Sequence, residues 1–262
     1  MKFWKGIIAA IALLSTSLLS TVALAAPSTQ LGFILDGSGS VSTSNYNLLR
    51  TGLSDAIAAL TADGSIEITI TAYGSGTSTV VAPTLLTAAT LPVIQSAILN
   101  HAKYGGGTDT GGALRYTTNL MTGSTYFANS ALKASIINLA TDGVPNSQAA
   151  AIAGATYAFE QGIDALSIEA IGSGVNSGSA LNSMLAIAFP GPATLLGLNA
   201  TDIPNPIGGS WVVPVSDFDA LAPVLKAKVL ASVTPTPSVP VSSPLALLLI
   251  GLGCFAFVRR SV

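Results

Sequence analysis

The sequence predicts an α/β protein: a doubly wound, mostly parallel sheet of six strands with helices on both faces. Three observations lead there. Strand-length apolar segments end abruptly at polar residues, the clearest being residues 31–35 before Asp36, as strands buried on both faces do. Stretches of helical period separate them. Residues 30–233 form a span of roughly 200 residues, enough for one large α/β domain with a proper core. Strand–helix alternation with right-handed crossovers then makes the strands parallel and covers both faces.

The elements follow in order. Residues 31–35 are the first strand. Over residues 44–60, Leu49, Leu53, Ile57 and Leu60 recur on one face of a helix. Ile66, Ile68 and Ile70 alternate with Glu67, Thr69 and Thr71 at the period of a strand, and Gly74-Ser75-Gly76 turns the chain into a hairpin partner over residues 77–82. A second helix is expected over residues 91–102, with Thr90 as N-cap, Pro92 in its first turn, and Ile94 and Ile98 inward. A third starts after Gly105-Gly106-Gly107 and carries Ala113, Leu114, Thr117 and Met121 on one side. Residues 135–140 read as a strand, 147–161 as a helix ended by Gly162, and 166–171 as another strand. A short helix over 180–188 leads into a Gly/Pro-rich loop, 189–209, which either lines a site or is a surface excursion. The last strand is 211–215, opened by a core Trp211. In the last helix, 218–230, Pro223 is awkward, because proline one turn in disturbs the hydrogen-bond ladder.

Of the 262 residues 50% are apolar and only 8% charged, which excludes intrinsic disorder, a polar coiled coil and a basic nucleic-acid binder. The charges are segregated. Lys2, Lys5, Arg259 and Arg260 lie at the ends, whereas residues 27–244 hold six Lys/Arg against twelve Asp/Glu, a net charge of −6 that excludes DNA as a partner. Residues 1–26 have the three parts of a secretory signal peptide, with cleavage expected near Ala25 or Ala26. An uncleaved anchor is the alternative, since about twenty apolar residues just span a bilayer. After the domain at 27–233 come a Pro/Ser/Thr linker, 234–244, and an apolar segment, 245–262, closed by Arg259-Arg260. Its apolar stretch covers roughly 21 Å as a helix, short of a ~30 Å hydrocarbon core, so it is a marginal anchor. The basic pair stays cytoplasmic and leaves the domain outside. This tail resembles the PEP-CTERM type of bacterial sorting signal, which an exosortase processes, although it reads Val239-Pro240-Val241-Ser242-Ser243-Pro244 where that signal opens Val-Pro-Glu-Pro. A plain C-terminal anchor is the alternative. The only cysteine, Cys254, lies in this tail and fits neither a disulfide scaffold nor a zinc site.

Three polar clusters fall where apolar strands stop or helices start: Asp36-Gly37-Ser38-Gly39-Ser40, then Gly106-Gly107-Thr108-Asp109-Thr110-Gly111, then Thr141-Asp142-Gly143. In a sheet ordered 3-2-1-4-5-6, strands one and four are neighbours at the switch point, which brings Asp36 and Asp142 side by side at the carboxyl edge. Two carboxylates there repel unless a divalent ion lies between them. Ser38, Ser40 and Thr108 add hard neutral oxygens. Asp36-x-Ser38-x-Ser40, Thr108 with Ala113-Leu114 beyond it, and Asp142-Gly143 resemble the metal-ion-dependent adhesion site of the von Willebrand factor type A family, over about residues 30–233. The resemblance implies the Rossmann-like fold of that family, a Mg²⁺, Mn²⁺ or Ca²⁺ ion held by Asp36, Ser38, Ser40, Thr108 and Asp142, no enzymatic activity, and a protein or surface ligand whose carboxylate completes the shell. Asp109 is expected to face the partner or to support the ligands from behind.

Rival chemistries fail on detail. A dinucleotide-binding turn needs a third glycine where Ser42 stands, and Asp36 sets a negative charge beside the pyrophosphate. A nucleophile elbow needs glycine two residues before Ser38, where Asp36 lies. His101, the only candidate base, is expected to be a solvated surface residue, and Asn199-Ala200-Thr201 a chance sequon. The function expected is an exported, metal-dependent adhesion module touching the membrane at least transiently through its tail; the alternative is an extracellular matrix or biofilm protein whose ion only stabilises the fold.

Overall fold

Strand β1 (Thr29–Asp36) is the centre of the architecture, buried along nearly its whole length. Its pleat divides the core: Leu31, Phe33 and Leu35 point to one side of the sheet, Ile34 to the other. The computed structural model describes residues 26–233; the expected leader, linker and tail, with Cys254, lie outside the described residues. Beside β1 lie β2 (Asp63–Tyr73) and β4 (Ala134–Thr141), both parallel to it. Beyond them come β3 (Thr77–Thr87), antiparallel to β2, and β5 (Ala165–Ile171), then β7 (Trp211–Val215) and β6 (Thr194–Leu195). The sheet order is β3-β2-β1-β4-β5-β7-β6.

On one face lie α1 (Thr43–Ala58), α2 (Leu91–Asn100) and α6 (Leu221–Val233), which bury Tyr46, Leu49, Leu53, Ile57, Ile94, Ile98, Leu221 and Leu225 in one core cluster with residues of β1, β2 and β7. The spacing of the α1 set is the stripe of an amphipathic helix. Ser42 caps α1 by accepting from the Asn45 amide at 3.1 Å. On the other face lie α3 (Thr110–Thr122), α4 (Gln148–Glu160) and α5 (Gly178–Leu185). The buried side of α4 is only Ala151, Gly154, Ala155 and Ala158, so α3 comes close. A Cβ at Gly111 would stand 2.5 Å from the Ala150 carbonyl oxygen, and one at Gly154 2.8 Å from that of Gly111.

The described sheet has seven strands where six were expected. The extra one, β6, is two exposed residues inside the Gly/Pro-rich loop, too short for any period to announce it. The final helix begins at Leu221 rather than at 218, which puts Pro223 in the first turn, where its missing N–H would have had no partner. Beneath that helix, Lys228 and Glu169 form a fully buried ion pair at 2.6 Å. Lys228 also donates to the Ser167 carbonyl at 3.1 Å and lies 5.3 Å from the Trp211 ring centroid. Among the described residues, no helix is long and apolar enough to cross a membrane.

Candidate metal centre

The chain leaves β1 at Asp36 and is held immediately by backbone bonds. Gly37 donates to Tyr73 O at 2.8 Å, Gly39 to Gly106 O at 2.7 Å, and Gly105 to Gly37 O at 2.6 Å. A Cβ at Gly39 would lie 3.0 Å from Gly106 O, so this zipper of two loops requires bare backbone. Gly105 and Gly106 have φ of 83° and 80°, the left-handed region that glycine adopts without strain. The second loop thereby delivers Thr108. Its amide donates to Asn146 Oδ1 at 3.0 Å and its carbonyl accepts from the Asn146 amide at 2.9 Å, which ties it to the segment after β4.

All five expected residues come together at the carboxyl edge of the sheet. The Ser38 and Ser40 hydroxyls are 3.0 Å apart, and Ser40 Oγ donates to Asp142 Oδ1 at 2.6 Å. A Cβ at Gly143 would lie 3.1 Å from Thr108 Oγ1 and 3.5 Å from Ser40 Oγ, which places the threonine hydroxyl in the same cluster. Asp36, Ser38 and Thr108 are buried, Asp142 is half-buried and Ser40 exposed, so the site has a dry floor and an open rim. Asp36 Oδ1 accepts from the Ser38 amide at 2.8 Å and Oδ2 from Thr141 Oγ1 at 2.6 Å. Burial and the charge of Asp36 push the Asp142 carboxyl above its ordinary range, against the hydrogen bond from Ser40 and the charge of Lys103.

The donor set decides what can bind. Among the described residues no three His, Cys, Asp or Glu side chains converge as a metal cluster. Two carboxylates and three hydroxyls offer neither nitrogen nor sulfur, a set suited to a hard divalent cation. Beside Asp142 opens a groove of about 390 Å³, whose lining includes Asn45, Ser173, Ser216, Asp217 and Asp219. No residue of 189–209 lines it, so that loop is an excursion at the sheet edge.

A family model for the von Willebrand factor type A domain matches residues 30–191. The chain belongs to the von Willebrand factor type A domain family. Three solved structures share this fold. Proximal thread matrix protein 1 from the mussel byssus is 20% identical with a TM-score of 0.60 over 78% of this chain and 48% of that one. The pilus adhesin SpaC from Lactobacillus rhamnosus GG is 14% identical with a TM-score of 0.58 over 78% and 30%. Manganese-loaded TRAP from Plasmodium vivax is 20% identical with a TM-score of 0.52 over 76% and 72%. The chain thus spans about half the length of the byssus protein and less than a third of the adhesin. No curated protein sequence matches it.

Several residues of this von Willebrand factor type A domain take roles that sequence reasoning did not give them. Asp109 is the N-cap of α3, accepting from the Gly112 amide at 3.1 Å. His101 is half-buried rather than solvated. Its Nδ1 meets Tyr46 Oη at 2.9 Å and its Nε2 meets Ser78 Oγ at 3.2 Å, while burial and the Arg50 charge lower its pKa. Asn199 adopts φ 55°, and its side chain accepts from the Ser216 amide at 2.8 Å, a structural use for the asparagine of the sequon. The sequence assigns no role to Thr141, Asn146 or Lys103, which donates to Ser38 O at 2.7 Å. The only sequence signal for Thr141 was its place at a strand end beside Asp142.

Proposed function

We propose that this protein is an exported binding module that engages a protein or surface ligand through a divalent cation at the carboxyl edge of its sheet. Asp36, Ser38, Ser40, Thr108 and Asp142 are the residues that hold Mg²⁺, with Mn²⁺ or Ca²⁺ able to replace it. One observation carries the reading: the Ser38–Ser40–Asp142 chain of contacts, 3.0 Å and 2.6 Å, gathers hard oxygens from segments 102 residues apart at one point, with Thr108 beside them. The manganese-loaded relative supports the choice of a divalent cation.

The two carboxylates offset the double charge of the ion, and the hydroxyls complete the floor without adding charge. When bound, the ion supplies an electrophilic point for an external carboxylate. The residues of the chain orient that point toward the open rim at Ser40 and Asp142, where a partner has access. The net charge of −6 over residues 27–244 repels a strongly anionic partner at long range, so a local, well-placed carboxylate is favoured and nucleic acid is not. No enzymatic step belongs to this reading. The leader at 1–26 and the apolar tail at 245–262 support export, a surface or extracellular location, and at least transient membrane contact. Likeness to a pilus adhesin supports adhesion; likeness to a byssus matrix protein favours the second reading, a matrix component whose ion only stabilises the fold.

Calorimetric titration of chelator-stripped protein with Mg²⁺, Mn²⁺ and Ca²⁺ tests the assignment. Saturable binding lost in Asp36→Ala is expected; wild-type affinity in that variant refutes the ligand set. A circular dichroism spectrum that survives chelation favours the adhesion module, and one that collapses favours the matrix protein.

A further inference from the structure

Three neighbouring strands end at the same level beneath the site: β2 at Tyr73, β1 at Asp36 and β4 at Thr141. Asp36 pairs with Tyr73 in the parallel register, and Leu35 pairs with Ala140, the residue before Thr141. All three side chains are buried. We propose that Thr141 and Tyr73 are positioning residues that hold the Asp36 carboxylate oriented for a cation before the cation arrives, a reading that rests on the metal site proposed above.

The directions of the hydrogen bonds follow from which groups can donate. A carboxylate only accepts, so Thr141 Oγ1 gives its single proton to Asp36 Oδ2, at 2.6 Å, in preference to the Gly143 carbonyl at 3.0 Å. The Gly143 amide only donates, and it fills one lone pair of Thr141 Oγ1 at 3.2 Å. The remaining lone pair faces Tyr73 Oη at 3.3 Å, and the buried Tyr73 phenol also interacts with Asp36 itself. The result is a relay of phenol, hydroxyl and carboxylate in a dry environment, where such a network is polarised. On the other oxygen, the Ser38 amide donates at 2.8 Å. The two carboxylate oxygens are thus each held by a different donor, which restricts rotation of the group. The relay lies entirely behind the ligands, and none of its members except Asp36 belongs to the proposed metal set.

The test uses the full chain and two readouts. Thr141→Val removes the hydroxyl at nearly equal volume, Thr141→Ser restores it, and Tyr73→Phe removes only the start of the relay. For Mn²⁺ measured by calorimetry, Thr141→Val is expected to weaken binding about 10–100-fold, as loss of groups that orient ligands typically does. Tyr73→Phe should weaken it by roughly 2–10-fold, and Thr141→Ser should bind as wild type does. The second readout needs no metal. In chelated protein, exchange of the Ser38 amide should be about tenfold faster in Thr141→Val than in wild type, because the carboxylate it is bonded to is no longer held. Wild-type Mn²⁺ affinity together with unchanged Ser38 exchange in Thr141→Val overturns the proposal; if that variant does not fold, the same result in Tyr73→Phe does. Failure of wild-type protein to bind Mn²⁺ overturns the metal reading instead, and the exchange rates of the metal-free proteins still decide the positioning role.

Discussion

Replacing Asp142 with asparagine should have opposite consequences with and without the ion. In metal-free protein the Asp142 carboxyl is half-buried beside the Asp36 charge, and both effects push its pKa up. The asparagine carbonyl can still accept from Ser40, now at 2.6 Å from Oδ1, so the hydrogen bond is kept and only the charge is lost. The metal-free variant should therefore be as stable as wild type or slightly more stable, within about 1 kcal/mol. With Mg²⁺ at about a hundred times its dissociation constant, ligand linkage adds about 2.7 kcal/mol to the wild type and little to the variant. For a domain of this size, each kcal/mol moves Tm by about 2–4 °C, so the wild type should gain roughly 5–10 °C on adding metal. Thermal melts in chelator and in Mg²⁺ read this directly. The sign with pH follows from the same shift. A carboxyl raised in the folded state contributes stability that is present below its unfolded pKa and is lost as pH rises through the folded value. The metal-free wild type should lose this contribution as pH climbs above the ordinary carboxylate range, and Asp142→Asn should not. An equal Mg²⁺-induced Tm gain in both proteins, or a variant strongly destabilised in chelator, would refute the reasoning.

Elsewhere the structure makes firm demands on packing. Lys228→Met strands the fully buried Glu169 carboxylate, and chemical denaturation should show a loss of about 3–5 kcal/mol, whereas Lys228→Met with Glu169→Leu should recover most of it; a double variant as weak as the single one contradicts this. Gly111→Ala drives a methyl to 2.5 Å from the Ala150 carbonyl oxygen and should cost about 1–3 kcal/mol, seen as a lower Tm, while an unchanged Tm would mean α3 and α4 separate freely.

Much of this molecule is legible in one dimension. Strands buried on both faces must be apolar throughout, which marks β1, and amphipathic helices must repeat every three to four residues, which marks α1. The five oxygen-bearing residues were visible for a related reason: each lies where a strand or loop ends at the carboxyl edge of the sheet, and the glycines around them announce tight turns. What one dimension lacked was pairing between distant side chains. The Thr141–Asp36 and Tyr73–Thr141 contacts join residues 105 and 68 positions apart, and no local pattern distinguishes a threonine that orients a carboxylate from one that merely fills a strand. His101 looked solvated because its sequence neighbours are polar, but Tyr46 and Ser78 reach it from other elements. Nothing local to the last helix announces that the sheet sets Glu169 beneath Lys228. Sequence alone determined the alternation of elements and the sheet edge at which the polar clusters gather, because these follow from backbone hydrogen bonding and apolar burial. Tertiary structure alone decided which polar groups share a dry interior, and that depends on distances between segments that local preferences do not encode.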